Sequence, residues 1–287
     1  MNKILDGIKL SEELYLELQT RINKAKLKPT LAVIQVGNLS ESNLYIEHKK
    51  NKAKTMGINF KLISLPKTIQ TSVLVKEISK LNNDIKVDGI LIQLPLPKQI
   101  DLPQIFSIID PNKDVDGFHP YNRGQLDFSP TETTLVPPTA KGVITLMDKY
   151  DISVKGKHVV VLGAGIISGK PIVKLLLNMG ATISICTKET LNIKYFIKKA
   201  DIVISAVGYR DFFHGKDIKK GAVIINIGIT KTYNKVYGDP HFDSVLKKAS
   251  FITPTPGGTG PMTVYHLLEN TVICAEKKLK NGTKKHS

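Results

Sequence analysis

The sequence predicts an α/β protein of two domains, each built on a parallel sheet, and three observations carry that expectation. Short apolar runs that read as buried strands alternate with amphipathic stretches at helical spacing. From Arg123 to Ala140 the alternation lapses into Gly, Pro, Thr and Ser, with Pro130, Pro137 and Pro138. A second alternating series then begins, and its first strand runs into a glycine-rich turn.

Taken in order, Ser11 followed by Glu12, Glu13 and spaced leucines reads as the cap of a first helix. Leu31 to Gly37 reads as a strand, residues 42–56 as a helix, FKLISLP as a strand and residues 72–82 as a helix. VDGILIQLPLP is an apolar strand closed by prolines. The lapse after Arg123 reads as a surface link, and a helix over 142–150 follows it. KHVVVLGAG, ATISIC, DIVISAVG and AVIINIGI supply the strands of the second series, which FITPTPGGTGPMTV closes. A last helix is expected over 264–278. The expected domains are 1–139 and 140–263, with 264–287 packing back on the first.

A chain of 287 residues can bury two ordinary cores. With 41% hydrophobic and 23% charged residues it has the balance of a globular protein, not a disordered one. No apolar run approaches the roughly 20 residues of a membrane span, and the first residues lack a secretory apolar stretch. A cytoplasmic protein without membrane contact is expected. Cys186 and Cys274 match no metal or redox spacing, so no metal is expected. The net charge of +16 comes from lysines scattered along the chain, with no arginine-rich arm or aromatic interleaving. That distribution reads as a solvated surface that attracts anions generally, and no nucleic-acid partner is expected.

VVVLGAGIISGKP sets Gly163, Gly165 and Gly169 between a strand and a helix, one residue wider than the usual dinucleotide fingerprint. Glycines there let the chain turn tightly and let backbone N–H groups approach a pyrophosphate at the helix start. The end of the next strand selects the cofactor. An acid suits the ribose hydroxyls of NAD, and a cation suits the 2′-phosphate of NADP. Lys188 favours NADP, while Glu189, one step on, keeps NAD open.

Tyr45 and Lys49 lie four apart, on one helix face. A lysine desolvated beside an aromatic ring loses basicity and becomes useful for proton transfer. Short-chain dehydrogenases use the same spacing, but after their glycine turn; here the pair comes far ahead of it. Gln93 stands at a strand end, and Asp114 and Asp116 follow in the loop PNKDVDGFHPYN. Pro254 to Val264 is a glycine-proline loop entering a helix.

Together these stretches resemble the bifunctional methylenetetrahydrofolate dehydrogenase/methenyltetrahydrofolate cyclohydrolase family, from KILDG through the helix after GPMTV. VDGILIQLPLP, KDVDGFHPYN and ITPTPGGTGPMT are the specific motifs. The resemblance implies a folate-binding catalytic domain, a Rossmann-like NADP domain, an active site in the cleft between them, and a homodimer. It implies oxidation of 5,10-methylenetetrahydrofolate with NADP, then hydrolysis of the methenyl product to 10-formyltetrahydrofolate. In the implied site Tyr45 stacks on the pterin-side rings, Lys49 handles protons with help from Gln93, and Asp116 hydrogen-bonds the pterin. Leu94 joins the folate contacts, and Pro256, Gly257 and Gly258 run along the folate. Gly163, Ala164, Gly165, Lys188 and Ile229 would contact the cofactor.

The chain departs from the family pattern in places. The family often has serine at Gly165, histidine plus serine or arginine near Thr187 and Lys188, aspartate at Asn226 and valine at Thr259. PPTAKG lacks the cysteine and second proline frequent in the family's linker. Two rival readings are a shikimate- or amino-acid-type dehydrogenase and a basic RNA-binding regulator on a nucleotide fold. The first predicts turnover of a small hydroxy or amino acid; the second predicts salt-sensitive nucleic-acid binding without turnover.

Overall fold

A computed structural model describes residues 4–128, 130–232 and 235–283. The chain divides into two units. One gathers the described residues of Leu14–Gln125, Pro130–Pro138 and His266–Ser287; the other gathers those of Met1–Glu13, Leu126–Ser129 and Thr139–Tyr265.

The first unit is built on β1 (Thr30–Val36), β2 (Asn59–Leu65) and β3 (Gly89–Ile92), with α1 (Gly7–Lys24) entering it and α2 (Ser40–Thr55), α3 (Thr71–Asn83), α4 (Leu102–Ile108) and α5 (Pro120–Gln125) between and after the strands. Its sheet has the order β2-β1-β3, all parallel. The central strand β1 is apolar and buried almost along its whole length, as a parallel strand covered on both faces must be. Ile34 and Val36 pack with Ile90 and Ile92 of β3 and with Leu74 and Ile78 of α3.

The second unit carries α6 (Pro138–Lys149), β4 (His158–Leu162), α7 (Gly169–Asn178), β5 (Thr182–Cys186), α8 (Ile193–Lys199), β6 (Ile202–Ser205), β7 (Val223–Asn226), β8 (Ile229–Thr232), β9 (Lys235–Gly238), α9 (Phe242–Leu246) and β10 (Phe251–Ile252). Its parallel sheet has the order β10-β7-β6-β4-β5, and β8 and β9 form a separate antiparallel pair. From β4 the chain goes to β5 on one side and then to β6 on the other. That reversal is the topological switch point, where open α/β sheets bind ligands beyond the carboxyl ends of their strands. A final helix, α10 (Thr259–Thr283), starts in the second unit and ends in the first.

Several elements differ from expectation. Helix α1 begins at Gly7, capped by Asp6, whose Oδ1 accepts from Lys9 N–H at 3.0 Å. Ser11 lies inside the helix, its hydroxyl donating to the Ile8 carbonyl. Both residues are cap formers, and Asp6 comes first along the chain. The segment after Arg123 is no plain surface link. Leu126, Leu135 and Val136 are buried, α5 ends within it and α6 begins at Pro138. Asn270 of α10 donates to the carbonyls of Val115 and Val136 at 2.8 and 2.9 Å, tying that segment down. Helix α10 starts five residues earlier than expected. Its later part is held in the first unit by a two-pronged Arg21–Glu276 pair and by Lys278 against buried Asp88. No helix among the described residues is long and apolar enough to cross a membrane.

Candidate active site

Lys49 sits on α2, half-buried, and its Nζ donates to Gln93 Oε1 at 2.9 Å. Gln93 directly follows β3, and its backbone N–H donates to the Ile34 carbonyl, which locks the residue to the sheet. Its Nε2 donates to the Leu94 carbonyl at 2.7 Å. An ammonium can only donate and a carbonyl can only accept, so these two partners fix which end of the amide faces Lys49. Burial pushes the Lys49 ammonium below the usual lysine range, and the charge of Asp116 partly opposes that shift. Burial pushes the Asp116 carboxyl up to about 7, with Lys49 pulling it down and Asp114 raising it further. Lysine, glutamine and aspartate therefore form one electrostatic group. Tyr45, one turn earlier on α2, keeps 42% of its surface exposed, enough to offer a ring face.

The loop carrying Asp116 is held by Lys113, which the sequence did not single out, and by Asp114, which it did. Lys113 Nζ donates to the carbonyls of Leu81, Asn82 and Asp84 at 2.7–2.9 Å, closing the end of α3 with a cation. Asp114 is buried and structural. Its Oδ2 accepts from His119 N–H and Asn122 Nδ2, and burial raises its carboxyl above the ordinary range. A lysine directly before an aspartate was the available signal, but its three acceptors come from a helix end some thirty residues upstream.

In the second unit Gly163 follows β4 with φ of +95°, and a Cβ there would stand 2.6 Å from the Ala206 carbonyl. Gly169 likewise packs directly on the Gly163 carbonyl. Gly165 is different: a Cβ there meets nothing within 4 Å, so the serine common in the family would fit. Ser168 precedes α7 without a side-chain hydrogen bond to the helix start. Lys188 is 92% exposed and pairs with Glu189 at 3.5 Å. Ile229 opens β8 with 41% of its surface exposed. Pro256, Gly257 and Gly258 belong to this unit, and the Gly257 carbonyl accepts from the N–H groups of Gly7 and Ile8 at the start of α1. Among the described residues no cluster of His, Cys, Asp and Glu could hold a metal ion.

A parallel sheet with a glycine turn at its switch point, on one chain with a desolvated lysine held by an amide, defines a dinucleotide-linked oxidoreductase with acid–base chemistry. Residues 5–116 match the tetrahydrofolate dehydrogenase/cyclohydrolase catalytic domain, and residues 137–279 match the NAD(P)-binding domain of the same family. The chain belongs to that bifunctional dehydrogenase/cyclohydrolase family, whose substrate is a folate. It is 42% identical to the bifunctional protein FolD of Hydrogenobaculum over 96% of this chain and 99% of the relative. The bifunctional FolD structure from Campylobacter jejuni superposes with a TM-score of 0.92 at 38% identity, covering 96% of this chain and 98% of that one. The Trypanosoma brucei methylenetetrahydrofolate dehydrogenase-cyclohydrolase, solved with NADP and an inhibitor, gives 0.91 at 34% identity, covering 96% and 98%.

Proposed function

We propose that the protein oxidises 5,10-methylenetetrahydrofolate to the methenyl form with NADP, then hydrolyses that product to 10-formyltetrahydrofolate through Lys49. The observation that carries this reading is the Lys49 ammonium, disfavoured by burial and held at 2.9 Å by an amide with no alternative orientation. NADP held at the Gly163–Gly169 turn would supply the hydride acceptor. The carbon left behind is a cation stabilised by its two flanking nitrogens, so the chain need only orient the substrate for that step. Tyr45 covers one ring face, and Asp116, ionised, accepts from the donor edge of the pterin. In the second reaction water adds to the methenyl carbon and gives a proton to Lys49, whose unprotonated form burial favours. The carbon–N5 bond then opens, N5 takes a proton from Lys49, and one proton leaves overall with the substrate's positive charge. Gln93 keeps the amine aimed through both transfers.

For the cofactor, the Gly163 turn supplies a bend that side chains would obstruct, Gly165 leaves open space, and the start of α7 is free of a side-chain cap. Phosphate oxygens suit such N–H groups. Lys188 supports NADP over NAD, as does the NADP bound to the Trypanosoma brucei enzyme. Leu94 and the loop Pro256–Gly258 complete the proposed folate contacts, and Ala164 and Ile229 those of the cofactor. A cytoplasmic homodimer completes the reading, with sedimentation of the purified protein as the check on its assembly. The decisive experiment mixes protein, methylenetetrahydrofolate and either NADP or NAD, following nicotinamide reduction and methenyl absorbance together. Reduction of neither cofactor overturns the proposal.

A further inference from the structure

Asp239, between Gly238 and Pro240, is fully buried, and among the described residues no lysine, arginine or histidine hydrogen-bonds its carboxylate. Its Oδ2 accepts from Ser205 Oγ at 2.5 Å and from Val207 N–H at 2.9 Å. Its Oδ1 accepts from the N–H groups of Gly208 and Tyr209 at 2.9 and 3.1 Å. Three successive backbone N–H groups directed at one carboxylate form a nest, a natural anion site. This nest follows β6 at the switch point, and Ala206 beside it is the residue against which Gly163 packs. An open sheet could hold a phosphate there. Here the chain's own carboxylate fills the place.

The same residue reaches two further loops. Its N–H donates to Asn226 Oδ1, and Asn226 Nδ2 donates to the Gly228 carbonyl at 2.7 Å and to Thr255 Oγ1 at 2.9 Å. Thr259 Oγ1 donates back to the Asn226 carbonyl. Both carboxylate oxygens of Asp239 occupy the space that a Cβ on Gly228 would take, so a side chain at 228 would expel them. Gly228 precedes Ile229, and Thr255 precedes Pro256.

We propose that Asp239 is a positioning residue of the cofactor site: an internal anion that fills the 207–209 nest, so that the dinucleotide's phosphates are directed to the Gly163–Gly169 turn. This rests on the NADP reading above. Asp239→Asn removes the charge and sets an NH₂ group against backbone donors, while leaving the backbone link to Asn226 in place. Well below the variant's melting temperature, the NADP Kd measured by calorimetry should rise at least tenfold. Hydrolysis of methenyltetrahydrofolate without any cofactor should stay within twofold of the parent rate. A folded variant that binds NADP normally, whatever its melting temperature, makes Asp239 merely structural and overturns the proposal. Amide hydrogen exchange on the unaltered protein, free of cofactor, covers the case of a variant that does not fold. The amides of Val207, Gly208 and Tyr209 should exchange as slowly as those of β6, and fast exchange overturns the proposal. A parent protein that binds neither NADP nor NAD would defeat the cofactor reading instead, with the exchange result still deciding whether the nest is filled.

Discussion

In the first unit the groups proposed for chemistry are side chains whose charge the surroundings disfavour: Lys49 is held low, Asp116 is raised to about 7, and Gln93 spans none of the cost with a charge of its own. In the second unit the proposed binding groups are backbone N–H dipoles at glycine turns, and the buried carboxylate Asp239 is already matched by four donors. Lys188, the cation there, stands almost fully in solvent. The difference teaches where function should be sensitive. A proton-transfer group must be poised between two charge states, which burial achieves. A binding turn must present donors in a fixed shape, which steric crowding at glycine achieves.

The comparison breaks most sharply at Lys49. Lys49→Met keeps the apolar stem and removes the transferable proton, so methenyl hydrolysis should fall by roughly 10²–10⁴-fold. Hydride transfer should fall less, and methenyltetrahydrofolate should accumulate. A variant with an unchanged melting temperature and a normal hydrolysis rate would exclude Lys49 from the chemistry.

Asp116 offers a test by pH. A carboxyl titrating near 7 is increasingly protonated below that value and then no longer accepts from the pterin's donors. Folate affinity should weaken as pH falls from 8 towards 5.5, by at most about tenfold per pH unit. Asp116→Asn should bind folate weakly with a flat profile and leave NADP affinity unchanged. Retention of the pH dependence in that variant would assign it to another group.

Gly163→Ala probes the backbone side. The positive φ and the approach of the Ala206 carbonyl predict a loss of about 1–3 kcal/mol in stability, visible as a lower melting temperature. Gly165→Ser, where the space is open, should leave melting and NADP affinity nearly unchanged. Equal damage from both would mean that crowding does not set the turn.

The smallest effect is expected at Lys188. Exposed and shared with Glu189, it should contribute less than about tenfold to NADP affinity, and that part should vanish at high salt. Lys188→Ala should leave NAD binding untouched. Equal loss for both cofactors would remove Lys188 from the 2′-phosphate.

The long elements were legible because their signals are local. A parallel strand buried on both faces is a continuous apolar run, as in Val159 to Leu162, and a helix such as α3 shows its apolar stripe. The Gly163–Gly169 turn was legible for the same reason, since strand, glycines and helix are adjacent in sequence. Short elements such as α4, α5, α8 and α9, and the β8–β9 pair, carry too few residues to show a period. The start of α1 was misplaced because Asp6 and Ser11 are both cap formers, and only the backbone geometry chooses between them.

The sequence by itself determined the α/β class, the alternation of strands and helices, the cofactor turn and the motifs that carry the family. Those depend on periodicity and on residues close along the chain. Tertiary structure alone decided that Lys49 meets Gln93, forty-four residues away, that Lys113 closes the end of α3, and that Asp239 fills a nest thirty residues upstream. Each is a wholly or partly buried polar group whose partner lies far away along the chain. The cost of leaving such a group unpaired is settled by whichever donors or acceptors folding brings to it, and nothing in the local sequence names them.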